Sequence, residues 1–269
     1  MAKPQKMSNE NLMVVKSNDL IRKKKSALSA RQQKIVLYLI AQIEPHDEDF
    51  KEYQFKIQDF CRLCGVRCCG KAYRDIWQEI ENIAKVTIDD VLLPNGWKTV
   101  LRWIEKPYYE EKKGLVRIRL DKDMKPFLLE LKENFTRYEL LNILCMKSKY
   151  SIRLYELICS AHYHELETYR NYFELEDIRE LLSVPEGTYQ EFRWLKAKVL
   201  DVAVQEIEEY TDKRVTYTVD RWGRTPVGIE MTISTKPTAE RIQTYAKVDA
   251  LLNGKTFPKE KMNKPQKQR

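Results

Sequence analysis

Four of the six cysteines in this 269-residue chain fall within residues 61–70, CRLCGVRCCG. Thiols at that density raise two chemistries, metal ligation and redox exchange. A structural zinc site is usually built from two ligand pairs set apart by a loop. C-x2-C-x3-C-C offers no such loop and no nearby histidine, and the spacing matches no accepted iron–sulfur pattern. A second candidate is His162–Tyr163–His164. Two imidazoles ligate one metal when they share a face, as residues two apart do on a strand. Here they end a segment of helical period (Ile152, Tyr155, Cys159, His162), where residues two apart diverge by about 200°.

A third set suits reading DNA. In TYQEFRWLKAKVLDVAVQEIEEY, a single long helix by its pattern, Phe192, Leu195, Val199 and Ala203 form an inward stripe. Gln190, Arg193, Trp194 and Ala197 then point outward, with Lys196 and Lys198 on the flanks. Arginine and glutamine are the side chains that pair with guanine and adenine edges in the major groove. The following strands, VTYTVDRW and VGIEMTIS, predict a hairpin about Gly223. It carries Arg221 and Arg224 at its tip and Lys213 and Arg214 at its root, placed to reach phosphates. Taken alone, these are equally an ordinary charged helix face and hairpin.

What must position these residues is a repeated order of elements. Ser29 and Gln32 form a capping box opening a helix with an Ile35, Leu39, Ile40, Ile43 stripe. KEYQFKIQDFCRLCG is a strand entering a helix that stops at Gly65. GKAYRDIWQEIENIAK is a third helix with Tyr73, Ile76, Ile80 and Ile83 inward, which leaves Lys71, Arg74, Gln78 and Glu81 outward. KVTIDDVLL, KTVLRWIEK and GLVRIRL read as strands, with a turn at Asn95–Gly96. A short helix, KDMKPFLLELK, closes this half. SKYSIRLYELICSAHYH, NYFELEDIRELLSV and the long helix repeat the order.

FKIQDFCRLCGV and FELEDIRELLSV align so that Phe55, Ile57, Asp59, Phe60, Leu63 and Val66 fall on Phe173, Leu175, Asp177, Ile178, Leu181 and Val184. Cys64 then takes the place of the apolar Leu182 and Cys61 that of Arg179. This predicts a core position for Cys64 and a wetter one for Cys61, with Cys68 and Cys69 in the turn before the third helix. The cysteine cluster is therefore read as structural thiols rather than a metal site.

Two copies of helix, helix–turn–helix and β-hairpin define an α+β chain of two tandem winged-helix domains related by internal duplication. The expected division is a polar leader over 1–11, an N-terminal winged-helix domain over 12–134, a C-terminal one over 135–236, and a helix with a disordered basic tail over 237–269. The net charge of +8 favours a polyanionic partner. The run Arg22 to Ser26, RKKKS, adds to it. No apolar run approaches the roughly 18 residues of a membrane span, and the N-terminus lacks the apolar core of a signal peptide. The expected location is cytoplasmic, with reduced thiols. No G-x-x-x-x-G-K-[ST] loop occurs, so no ATPase and no cofactor are expected.

MVVKSNDLIRKK, FKIQDFCRLCGV and especially FTRYELLNILCMKSKYSIRLYELI, followed by FELEDIRELLSV and TYQEFRWLKAKVLDVAVQEI, resemble the plasmid replication initiators of the Rep_3 (RepB-type) family over roughly residues 12–235. The resemblance implies binding of direct repeats, iterons, in an origin. The C-terminal domain would read the major groove with Gln190, Arg193, Trp194, Lys196, Ala197 and Lys198, and its wing would use Lys213, Arg214, Arg221 and Arg224. The N-terminal domain would touch phosphates, with Lys71 and Arg74 outward, and form a homodimer in equilibrium with monomer. Host replication proteins, a helicase or its loader and a DnaA-type initiator, are the further implied partners. Cys68 and Cys69 have no role in that pattern.

Two alternatives stand beside this reading. The histidine pair fits the metal motif of rolling-circle nickases, which attack DNA through a tyrosine such as Tyr150, Tyr169 or Tyr189. A plain transcriptional repressor would use the same reading surface without initiating anything.

Overall fold

The computed structural model describes residues 12–22, 28–44, 46–64, 66–93, 96–131, 133–161 and 167–253. The chain opens with β1 (Met13–Ser17) and the short α1 (Asn18–Arg22), then α2 (Ala30–Ile40). The Ser29–Gln32 capping box is formed in both directions, which fixes where α2 begins. Next come β2 (Tyr53–Lys56), α3 (Ile57–Leu63) and α4 (Gly70–Ile83). Ile76, Ile80 and Ile83 lie at helical spacing on the buried face of α4, while Tyr73 is half-buried. The hairpin of β3 (Thr87–Leu92) and β4 (Lys98–Arg102) follows. β5 (Tyr108–Glu110) and β6 (Leu115–Ile118) join β2 in the order β2-β6-β5. The stretch read as one helix near residue 125 is only a turn and α5 (Lys125–Leu128).

β7 (Phe135–Glu139) pairs antiparallel with β1, so the opening strand is held by a segment far along the chain. After α6 (Leu141–Leu144), α7 (Lys149–Ser160) is buried almost all round and packs on α1 and α2. β8 (Thr168–Glu174) and α8 (Leu175–Leu181) lead to a helix built in three pieces. These are α9 (Phe192–Leu195), a π-helical turn over Lys196–Leu200, and α10 (Asp201–Tyr210). β9 (Lys213–Trp222) and β10 (Thr225–Thr235) form a long hairpin in the sheet order β8-β10-β9, and α11 (Thr238–Leu252) packs on α10.

Each half thus holds a helix–turn–helix backed by a three-stranded sheet. Among the described residues, no helix is long and apolar enough to cross a membrane. The leader 1–11, residues 23–26 of the basic run, Gly65, His162, His164, Asn95 and the tail from 254 lie outside the described residues.

α7 connects the two helix–turn–helix units. Its face toward α2 is part of the common core, and α10 packs on its other side. The Glu206 carboxylate of α10 accepts from the backbone N–H groups of Lys147 (3.0 Å) and Ser148 (3.1 Å) at the α7 N-terminus. Those N–H groups lack intrahelical partners, and an acid there also complements the helix dipole. The α9–α10 assembly is therefore tied to α7 by polar and apolar contacts together.

Candidate nucleic-acid interface

The turn between α8 and α9 is set by one side chain. Arg179 points its guanidinium into the turn and donates to the carbonyls of Thr188 (3.3 Å), Tyr189 (2.7 Å) and Gln190 (3.1 Å). Ser183 and Tyr189 take positive φ of 54° and 51°, a conformation non-glycine residues adopt only when their surroundings hold them there. Because these carbonyls face Arg179, the helix begins at Phe192. This revises the expected helix start: Gln190 is exposed but lies in the turn, ahead of the helix rather than on it.

Beyond the turn, Leu195, Val199, Ala203 and Ile207 are buried, while Phe192 is half-buried. Arg193, Trp194, Lys196, Ala197 and Lys198 are all exposed, as the inward stripe predicts. The π-turn buries Leu200 beside Val199 and leaves Lys196, Ala197 and Lys198 as one outward run. Such turns widen a helix by one residue and recur at functional sites. Arg193 is ion-paired to Glu191 (Nε to Oε2, 2.9 Å) and lies 5.2 Å from the Trp194 ring centre. Lys196 donates to both Asp201 oxygens at 2.8 Å, and that hydrogen bond raises its pKa above the ordinary lysine value. Lys198 has no ion pair among the described residues.

The β9–β10 hairpin stands beside this helix and is joined to it. Tyr217 of β9 donates its hydroxyl to Asp201 (2.5 Å), and Lys196 sits 5.6 Å over the Tyr217 ring. At the tip, Gly223 adopts φ 62° at the first central position of a two-residue turn, where an L side chain is disfavoured. Arg221 Nη1 donates to the Arg224 carbonyl (3.0 Å), which ties the tip across itself. Gly228 lies under the Tyr172 ring, in a space that a Cβ would overlap.

The root residues depart from expectation. Lys213 is only 8 % exposed, and its ammonium is held by Thr235 Oγ1 (3.0 Å) and Asp212 (3.1 Å). Arg214 is exposed but paired with Glu208 (3.4 Å) and Glu240 (2.6 Å). Lys213 therefore braces the hairpin and offers no charge to a ligand, while Arg214 joins the hairpin to α10 and α11. Only Arg221 and Arg224 of the four wing cations are exposed at the tip.

In the first copy, Lys71 and Arg74 are exposed on α4. Arg31, Lys34, Arg67, Lys71 and Lys147 surround a cleft of about 450 Å³ floored partly by Cys61 and Cys64, with Asp75 the acid among them. The cysteine assignment reverses here: Cys61 is the buried thiol, 1 % exposed, and Cys64 is half-buried. The loop Val66–Cys69 folds back over Cys61, with Val66 N–H bonded to the Cys61 carbonyl (2.8 Å). Cys61 thus occupies the place of Arg179 but turns toward Cys68 instead of reaching three carbonyls. Burial and the Cys68 contact raise its pKa to about 12. Burial likewise raises Cys64 to about 11. Among the described residues no cluster of three or more His, Cys, Asp or Glu side chains could hold a metal.

Sequence reasoning missed the Arg179 clamp and Trp222. The alignment of Arg179 with Cys61 was visible, but nothing in it showed that the side chain turns inward. Trp222 ends the strand VTYTVDRW, where the charged neighbours Arg221 and Arg224 carry the local signal.

Two helix–turn–helix units, each with a strand before its first helix and a β-hairpin after its second, define a tandem winged-helix protein. The profile described as "Initiator Replication protein, WH1" matches residues 13–159, and that described as "Initiator Rep protein, WH2" matches residues 174–233. The chain belongs to this family of replication initiator proteins. Among solved structures it resembles "Crystal structure of Pi initiator protein in complex with iteron DNA" with a TM-score of 0.70 at 19 % identity, covering 85 % of this chain and 99 % of that one. A weaker likeness, TM-score 0.43 at 15 % identity over 81 % of each chain, is to domains 2 and 3 of RctB.

Proposed function

We propose that this initiator binds repeated duplex sequences at a replication origin, reading bases with its C-terminal unit and steadying the complex with its N-terminal one. The observation that carries this reading is the joined outward surface of Arg193, Trp194, Lys196, Ala197 and Lys198 with the wing. Tyr217 and Asp201 fix the wing against the helix, so groove and flanking phosphates would be engaged as one unit. The fold shared with an initiator solved on iteron DNA supports the same mode.

In this reading Arg193 and Gln190 contact base edges, while Lys198, Arg221 and Arg224 contact phosphates. Arg193 and Lys196 exchange the carboxylates of Glu191 and Asp201 for DNA as it docks, while Asp201 keeps the Tyr217 hydroxyl. Lys71 and Arg74 supply backbone contacts from the first unit. The β3–β4 hairpin exposes Leu92 and Val100 and is the surface we assign to the homodimer, in equilibrium with a DNA-binding monomer. Origin melting would then rely on host replication proteins, without strand cleavage by this chain.

DNase I footprinting of the full chain on DNA flanking its own gene, with Mn²⁺ present, tests the proposal. Protection recurring about every two helical turns is expected. A single protected inverted repeat would instead indicate a repressor, and a discrete nick requiring His162 would indicate a nickase.

A further inference from the structure

Among the described residues, Trp222 is the most exposed large apolar side chain, at 85 %. It sits at the tip of the wing, the last residue of β9, opposite Thr225 and next to Gly223. A tip made only to connect two strands needs turn-forming polar residues there, and an indole in water adds nothing to folding. The tip is also held rigid, by the Gly223 turn and by the hydrogen bond from Arg221 to the Arg224 carbonyl. Asp220, the one acid beside it, is engaged by the Arg221 backbone N–H (2.8 Å) and the Tyr172 hydroxyl (3.1 Å). What projects is an aromatic side chain, with Arg221 and Arg224 near it in sequence.

Strand alternation separates their directions. Arg221 lies on the face of β9 that carries Tyr217, the residue bonded to the reading helix, while Trp222 lies on the other face. The arginine is thus turned toward the side on which the helix lies and the indole away from it; in the proposed binding mode that places the indole beyond the bases the helix covers. A flat apolar side chain at the end of a hairpin that also carries two exposed arginines fits one chemistry well: a nucleobase face near a phosphate.

We propose that Trp222 is a wedge that stacks on a nucleobase uncovered at an opened base step beside the recognised site, with Arg221 and Arg224 on the adjacent phosphates. The inference rests on the wing facing DNA, as proposed above. Bound this way, the wing of each initiator would loosen the duplex between neighbouring sites as well as hold it.

The test uses the full chain, Trp222→Ala and Trp222→Phe on a duplex carrying the footprinted segment, with 2-aminopurine at adenines flanking the protected bases. A single strand of the same sequence forms a second arm. Wild-type protein should raise duplex 2-aminopurine fluorescence. Trp222→Ala should abolish that rise and weaken affinity on the order of tenfold, with footprint boundaries and thermal midpoint unchanged. Trp222→Phe should retain most of both effects. An equal rise in Trp222→Ala with an intact footprint overturns the wedge. A Trp222-dependent signal confined to the single strand keeps the stacking role and assigns the base to a melted strand. Absence of any wild-type footprint overturns the duplex-reading function itself, and the single-strand arm then decides Trp222 alone.

Discussion

Lys16 Nζ and Glu156 Oε1 meet at 2.6 Å although 140 residues separate them, and both side chains are almost wholly buried. Glu156 lies on α7 and also accepts from the Tyr138 hydroxyl (2.6 Å), with Arg153 Nη1 at 3.5 Å from its other oxygen. Arg153 in turn donates from Nε to the Leu181 carbonyl at the end of α8 (3.1 Å). One carboxylate therefore gathers β1, β7 and α7, and its arginine neighbour reaches the helix–turn–helix of the second unit. Buried charges of this kind are weak stabilisers, but each depends on the others being present.

Replacing Lys16 alone should therefore be costly. Lys16→Met leaves Glu156 buried with less compensation, and a loss of about 3–5 kcal/mol in urea unfolding is expected. Adding Glu156→Gln should recover part of it, because a neutral amide still accepts from Tyr138. Loss in the double variant equal to the sum of the singles would show that the two residues do not act as a pair.

The same site gives an acid limb to stability. Burial pushes the Glu156 carboxyl upward, but Lys16, Arg153 and the hydrogen bonds from Lys16 and Tyr138 outweigh it, and its pKa lies below the ordinary glutamate value. A carboxyl depressed on folding stabilises above its unfolded pKa, and that contribution disappears as pH falls through the folded value. Wild-type stability should thus decline below about pH 4, and Glu156→Gln should be less stable at neutral pH with a shallower acid slope. Parallel acid limbs would remove Glu156 as their source.

The thiols should react in an order set by the fold. Burial raises Cys61 and Cys159 to about 12 and Cys64 and Cys145 to about 11, so these four remain protonated near pH 8. Cys69 is exposed. Brief iodoacetamide treatment at pH 8, read by peptide mass spectrometry, should label Cys69 first, the half-buried Cys64, Cys145 and Cys159 more slowly, and the buried Cys61 only after unfolding. Early labelling of Cys61 would mean that the Val66–Cys69 loop opens readily. Converting Cys68 and Cys69 to Ser should leave DNA affinity unchanged.

Arg193→Ala should weaken binding to the correct site by about 1–3 kcal/mol, with far less effect on unrelated DNA. Arg221→Ala or Arg224→Ala should weaken all sequences alike and reduce the salt slope by about one each. Lys213→Ala, by contrast, should lower the thermal midpoint and leave that slope unchanged, since its ammonium is spent within the protein. A Lys213 variant with a smaller slope would place that residue at the DNA after all.

What could be read in advance was whatever repeats locally. The Ser29–Gln32 box, the α4 stripe and the Leu195, Val199, Ala203 face are short-range patterns, and the structure bears them out. The β1–β7 pair was hidden because neither strand alternates clearly and each finds its partner far away in sequence. Cys61 was misplaced for a related reason. Alignment transfers helix phase, but an arginine at the matching position signals a wet site, whereas Arg179 itself turns inward into its turn and is largely buried. Lys213 shows the same limit for charge, since composition gives a cation and only the fold shows it already paired.

Arg179 offers the sharpest test of how the reading surface is positioned. Its guanidinium is the shared donor to three consecutive carbonyls, and those carbonyls belong to the turn that presents Gln190 and starts α9. Hydrogen bonds from a charged donor contribute roughly 1.5–3 kcal/mol together with the order they impose. Arg179→Ala should therefore lower stability by about that amount and release Tyr189 from its positive φ, with faster amide exchange over residues 186–191. Arg179→Lys should rescue little, because an ammonium lacks the planar fork that spans neighbouring carbonyls. Affinity for the specific site should fall in both variants while binding to unrelated DNA changes less, since Arg179 faces the turn and not the groove. If exchange over 186–191 in Arg179→Ala is no faster than in wild type, the turn holds itself and the side chain must act elsewhere.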